Sequence, residues 1–164
     1  MSDARIYSPS ANEANLPLSS LASLHVTLVD AIKGYQTMME KSQPELQASI
    51  QPFATLHQRH AEELAGILRE SGISPDQDGS FMSAVHKVVV SARAMFNDLD
   101  NDALPSVVKG EELIVSEYRN VLAEAHDGNS HSALDRHHVL VQRLTKHIED
   151  LTTLVRRAQA QIQV

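Results

Sequence analysis

Residues 44–72 read PELQASIQPFATLHQRHAEELAGILRESG, and this stretch decides the fold. Pro44 suits the first turn of a helix, where its missing N–H has no partner to lose. Ile50, Phe53, Leu64 and Ile67 recur at helical spacing along one face. Gly72 fits a stop, because a left-handed residue commonly follows the last turn. The reading predicts a helix over 44–71, with Pro52 expected to kink it or to mark a boundary near Gln51. Two members of the apolar face are not apolar: its positions 57 and 60 are His57 and His60.

Outward from this stretch the same periodicity continues. Upstream, Leu21, Leu24, Leu28, Ile32, Tyr35 and Met39 predict a helix over 18–42, capped by Ser19 or Ser20. Residues 1–17 are small and polar with two prolines, and read as a flexible arm ahead of a single domain at 18–163. Downstream, the turn-rich ISPDQDGS (73–80) leads to a short helix at 80–97. Val107, Ile114, Tyr118, Val121 and Ala125 predict a helix over 103–126. The last helix is predicted over 131–162, with Leu134, Val141, Ile148, Val155 and Ile162 stepping by seven as in a bundle seam. The expected fold is all-α: a four-helix bundle of two antiparallel hairpins, with the short helix in the long crossover between them.

Composition narrows the function. The chain has 164 residues, enough for one domain with a real core. It has no Cys, which excludes disulfides, thiolate metal sites and a thiol nucleophile. Its 14 Lys+Arg against 21 Asp+Glu leave a net charge of -7 without a basic block, so neither nucleic acid nor membrane is expected as a partner. No apolar run is long enough to span a bilayer. The opening residues show no secretory pattern, and a cytoplasmic protein of bacterial type is expected. No phosphate-binding glycine loop and no H-E-x-x-H motif is present.

The nine histidines carry what remains. Besides His57 and His60, the apolar stripes are interrupted by Glu111 and His137, while His147 sits beside the seam of the last helix and His25 at the edge of the first. Hairpin geometry, with turns near 43–44 and 128–129, places Glu111 level with His147 and His57 level with Asp30. His57, His60, Glu111 and His147 are then expected to meet at mid-bundle. Two readings follow: a metal site for Fe, Mn or Zn with these four as ligands and Asp30 as an outer partner, or a buried polar cluster satisfied by its own hydrogen bonds with Tyr35 and Tyr118. His126, His131, His137 and His138 read as a solvated group around the last turn, and Glu62-Glu63 as a solvated face.

The order of motifs is itself informative: DAIKGY (30–35), HAEELAGILRESG (60–72), GSFMSAVHK (79–87), KGEELIVSEYRNVL (109–122) and TKHIEDL (145–151). Over about residues 20–155 it resembles an uncharacterised bacterial family of ferritin-like domains of unknown function. The resemblance implies a ferritin-like bundle with a crossover. It aligns Glu111 with the carboxylate of the third bundle helix, His147 with the last-helix histidine and His86 with a crossover histidine. It also implies a degraded di-iron site: His57 stands where a Glu-x-x-His begins, Leu144 precedes His147 where a Glu belongs, and Leu28 and Ile32 occupy the first helix's ligand positions. The functional expectation is a non-catalytic structural or stress-related interaction protein that self-associates as a homodimer. The alternative is a metal-binding protein with a His-rich mononuclear site.

Overall fold

The structure, a computed structural model, describes residues 16–75, 103–127 and 134–163. They form four helices and, among the described residues, no strand: α1 (Leu18–Lys41), α2 (Pro44–Glu70), α3 (Ala103–Asp127) and α4 (Leu134–Ile162). The expected N-terminal arm up to residue 15, the helix at 80–97 with His86, and a start of the last helix at 131 lie outside the described residues.

Local chemistry explains the helix ends. Pro44 opens α2 in its first turn. At the other end Gly72 adopts φ +79°. Its N–H donates to the Arg69 carbonyl at 3.0 Å, and the Ile73 N–H donates to the Leu68 carbonyl at 2.9 Å. These are the two bonds of a Schellman stop, with Ile73 packed on the core beside it. Pro52 neither ends nor divides α2; one backbone bond, to Ala48, is lost, and the packed apolar face outweighs it. Ser19 and Ser20 are not caps. The cap position of α1 is Pro17, without a side-chain bond, and the Ser20 hydroxyl instead donates to Glu124 of α3 at 2.5 Å.

Cross-helix pairs fix the directions. Ser20 with Glu124 and Tyr35 with Glu111 make α1 and α3 antiparallel. Arg59 with Asp150 and Glu63 with Arg143 make α2 and α4 antiparallel. His57 with Glu111 and His60 with Tyr118 make α2 and α3 run the same way. With α1 turning directly into α2, the order is up, down, down, up. The end of α2 and the start of α3 therefore lie at opposite ends of the bundle, about 40 Å apart at about 1.5 Å per residue. Residues 71–102 connect them.

The core is aliphatic. Leu21, Leu24, Leu28, Ile50, Leu64, Leu68, Leu140, Leu144 and Leu151 are almost fully buried, along with Phe53, Tyr35 and Tyr118. Each such leucine contributes roughly 1.5–3 kcal/mol by burial. The buried line of α4 runs through Leu140, Leu144, His147, Leu151, Val155 and Ala158. The seven-step series meets this line only at Val155: Val141 and Ile148 are half-buried beside it and Ile162 is exposed. A straight helix has 3.6 residues per turn, so a strict seven-residue series drifts off the face that meets its neighbours. No helix among the described residues is long and apolar enough to cross a membrane.

Candidate functional site: a two-tier polar waist

Four amphipathic helices would ordinarily meet through apolar side chains alone. Here the middle of the bundle holds His57 and His60 from α2, Glu111 from α3 and His147 from α4, all nearly or fully buried. The i, i+3 spacing puts both α2 rings on the inward face. Hairpin counting predicts all four on one level. They occupy two tiers, one turn of α2 apart.

The first tier centres on Glu111. The Tyr35 hydroxyl of α1 donates to Glu111 Oε1. His57 Nε2 lies 2.9 Å from each Glu111 oxygen and donates to them. The Tyr35 ring lies nearly parallel to those of Phe53 and His57, with centroids 6.2 and 6.0 Å away. Burial, then the neighbouring Glu111 charge, holds the Tyr35 phenol well above its ordinary pKa, so it stays a neutral donor.

The second tier is a stack. The His60 and His147 rings lie face to face, 3.7 Å between centroids and 9° from parallel, with the Tyr118 ring set edge-on against both. The Tyr118 hydroxyl and His60 Nδ1 share a hydrogen bond of 3.1 Å. His147 Nε2 donates to Glu63 Oε2 at 3.0 Å. Desolvation, and next the facing His147, pushes the His60 pKa down to about 2. Burial also lowers that of His147, against the opposing pull of Glu63. Both rings are therefore neutral at neutral pH. Burial, ahead of the Glu111 and Glu63 charges, raises the Tyr118 phenol.

At the rim, the α2–α4 seam is closed by ions. Arg59 donates to Asp150 at 2.7 Å, Lys146 donates to the same carboxylate, and Arg143 donates to Glu63 at 3.2 Å. His60 Nε2 stops 4.0 Å from Asp150, beyond hydrogen-bond reach. It is one of three buried ring nitrogens in the waist without a partner; the others are Nδ1 of His57 and Nδ1 of His147.

The waist thus gathers all four residues expected at mid-bundle, with Tyr35 and Tyr118. Asp30 is not among them; it faces Lys33 on its own helix at 3.7 Å. His25 is buried on α1. Of the second histidine group, His126 and His138 are exposed, while the side chains of His131 and His137 lie outside the described residues. Glu63 and Asp150 were missed. Glu63 reads as solvated from its spacing, yet its carboxylate turns inward to His147. The available signal was its i, i+3 relation to His60, mirrored by Asp150 and His147 on α4.

As they stand, these residues do not form a metal-ligand set. Among the described residues no group of three His, Cys, Asp or Glu side chains could hold a metal ion. Both Glu111 oxygens already accept bonds, and the carboxylates of Glu63 and Asp150 are each neutralised by Arg or Lys.

Comparison with known proteins adds one finding. No curated protein and no solved structure matches the chain. Residues 17–124, which span α1, α2 and most of α3, match the model of a domain of unknown function, DUF2383. The chain belongs to the DUF2383 family.

Proposed function

We propose that this protein is a ferritin-like bundle that acts without catalysis, as a structural or stress-related interaction protein. The up, down, down, up order with one long connection supports the ferritin-like reading, since that class of bundle carries one crossover. The observation that carries the non-catalytic reading is the closure of the waist. Glu111, Glu63 and Asp150 are each bonded to protein partners, which leaves none of these three free to act as a ligand, base or nucleophile. Self-association as a homodimer belongs to the same proposal. Light scattering tests it, and a monomer at every concentration ends that part. A cytoplasmic location belongs to the same proposal and is tested by cell fractionation.

A second reading is favoured by the three unpartnered ring nitrogens. It is a mononuclear Fe, Mn or Zn site built on His57, His60, Glu111 and His147. Metal analysis of untagged protein separates the two. Stoichiometric metal that disappears in the double variant His57→Ala, His60→Ala supports the second reading. Metal-free protein whose melting is unmoved by Fe(II), Mn(II) or Zn(II) removes the second reading, because a ligand that binds only the folded state must raise its stability.

A further inference from the structure

We infer that the chain between α2 and α3 docks on the outward face of α1, with residues 80–97 laid along it as a helix through Phe81, Val85, Val88, Val89 and Phe96. Such docking adds a fifth helix to the bundle, whichever functional reading above holds.

α1 differs from its neighbours in what it leaves to water. In a bundle of four helices each helix keeps an outward polar strip. α4 shows one, with Gln142, Thr145, Glu149, Thr153 and Arg156 exposed. α1 has no exposed residue from Ser20 to Ile32. Its inward line is Leu21, Leu24, Leu28, Ala31 and Tyr35. At 3.6 residues per turn, Val26 stands about 160° around the helix from both Leu24 and Leu28, and Ala22 about 160° from Leu24. Yet Ala22 is only 6% exposed, and Val26 and Val29 are half-buried. Asp30 is the one charged side chain between Ser20 and Ile32. A helix apolar on nearly every side is a helix covered on nearly every side.

The path of the chain selects the occupant. Glu70 ends α2 beside the start of α1, because those two helices form a hairpin. Ala103 opens α3 near the end of α1, because Ser20 pairs with Glu124 and Tyr35 with Glu111. α2 and α3 meet inside the bundle, His57 against Glu111, so residues 71–102 pass outside either α1 or α4. α4 presents a hydrated strip with Lys146, Arg156 and Arg157 exposed. α1 presents the covered, apolar one. The length agrees. A helix over 80–97 covers about 27 Å of the roughly 40 Å between the two ends at about 1.5 Å per residue, and the residues on either side of it span the rest. Centred on that span, it runs the same way as α1 and sets Val85 level with Val26.

The chain has no cysteine, so thiols can be introduced in pairs. Full-length protein carrying Val26→Cys and Val85→Cys is treated with a short bismaleimide, and the products are read by peptide mass mapping. The expected result is a crosslink within one chain. None is expected with Val85→Cys and Thr153→Cys, whose second thiol lies on the outward strip of α4. A crosslink within one chain for the Thr153→Cys pair, or for neither pair, overturns the inference. Crosslinked dimers from Val26→Cys alone show a second copy seated on α1 and also overturn it. Hydrogen exchange of the wild type needs no variant to fold. Residues 80–97 are expected to be protected together with 20–32, and exchange of 80–97 at the rate of an unstructured peptide overturns the docking. In Val26→Asp the protection of 80–97 is expected to fall more than that of α4; a fall no greater than that of α4, or no fall, overturns it.

Discussion

Removal of the Glu111 carboxylate is the sharpest test of the waist. In Glu111→Ala, two buried donors lose their acceptor together: the Tyr35 hydroxyl and His57 Nε2. Neither can reach water, since Tyr35 and His57 are 1% and 0% exposed. A stranded buried donor costs roughly 1–3 kcal/mol, so two stranded together cost about 2–6 kcal/mol. We expect a loss of about 4 kcal/mol. With a urea m-value of about 2 kcal/mol/M, the unfolding midpoint falls by about 2 M. Tyr35→Phe alone removes one hydrogen bond to the carboxylate, worth about 1.5–3 kcal/mol. In the double variant the phenol no longer strands a donor, so the two losses must fall short of additivity by at least about 1 kcal/mol. The assay is equilibrium urea unfolding of the four proteins of the cycle, followed by circular dichroism. A loss below about 1 kcal/mol for Glu111→Ala, or strict additivity with Tyr35→Phe, refutes the buried triad.

Four further outcomes follow from the geometry. Stability must fall as pH drops below about 6.5: the unfolded His60 and His147 take up protons there while their folded pKa values are depressed, to about 2 for His60. The contribution is full above the unfolded value and is lost toward the folded one, at up to about 1.4 kcal/mol per pH unit per ring; urea midpoints flat from pH 7 to 5 contradict it. Tyr118→Phe leaves His60 without its 3.1 Å partner and should cost about 1–3 kcal/mol by the same unfolding assay. Gly72→Ala meets no atom within 4 Å, so its cost is the backbone strain of φ +79° alone, about 1–2 kcal/mol; a variant as stable as the wild type removes the Schellman stop. Arg59→Ala breaks a pair to Asp150 in which the arginine side chain is 56% exposed, and should change stability by less than about 1 kcal/mol in a thermal melt.

Much of this was legible in the residues and some was not, for physical reasons. The helices of the described part could be read because amphipathic spacing, Pro44 and Gly72 act within a few residues of themselves. The interruptions at His57, His60, Glu111 and His147 could be read because a polar group on an apolar stripe is a local fact. The level of Glu111 could not. Hairpin counting from a turn at 128–129 set it beside His147, whereas it lies beside His57, and Glu112 reaches as far as Gln159 on α4. Register between helices depends on how far one slides past the other, which periodicity does not encode. Glu63 was hidden for a related reason. A half-buried carboxylate at the edge of a stripe looks solvated until the neighbouring helix brings His147 within reach.

The bonds at the waist share one property: every one joins the α1–α2 hairpin to the α3–α4 hairpin. Tyr35 and His57 meet Glu111, His60 meets Tyr118, and Glu63 meets His147. Leucines tolerate a sliding partner, because any apolar neighbour serves them; these groups do not. A displacement of one turn between the hairpins, about 5.4 Å, would strand all of them at once. The polar layer therefore works as a vernier for assembly, and a chain with it replaced by leucine should bind its halves together more tightly but in more than one alignment.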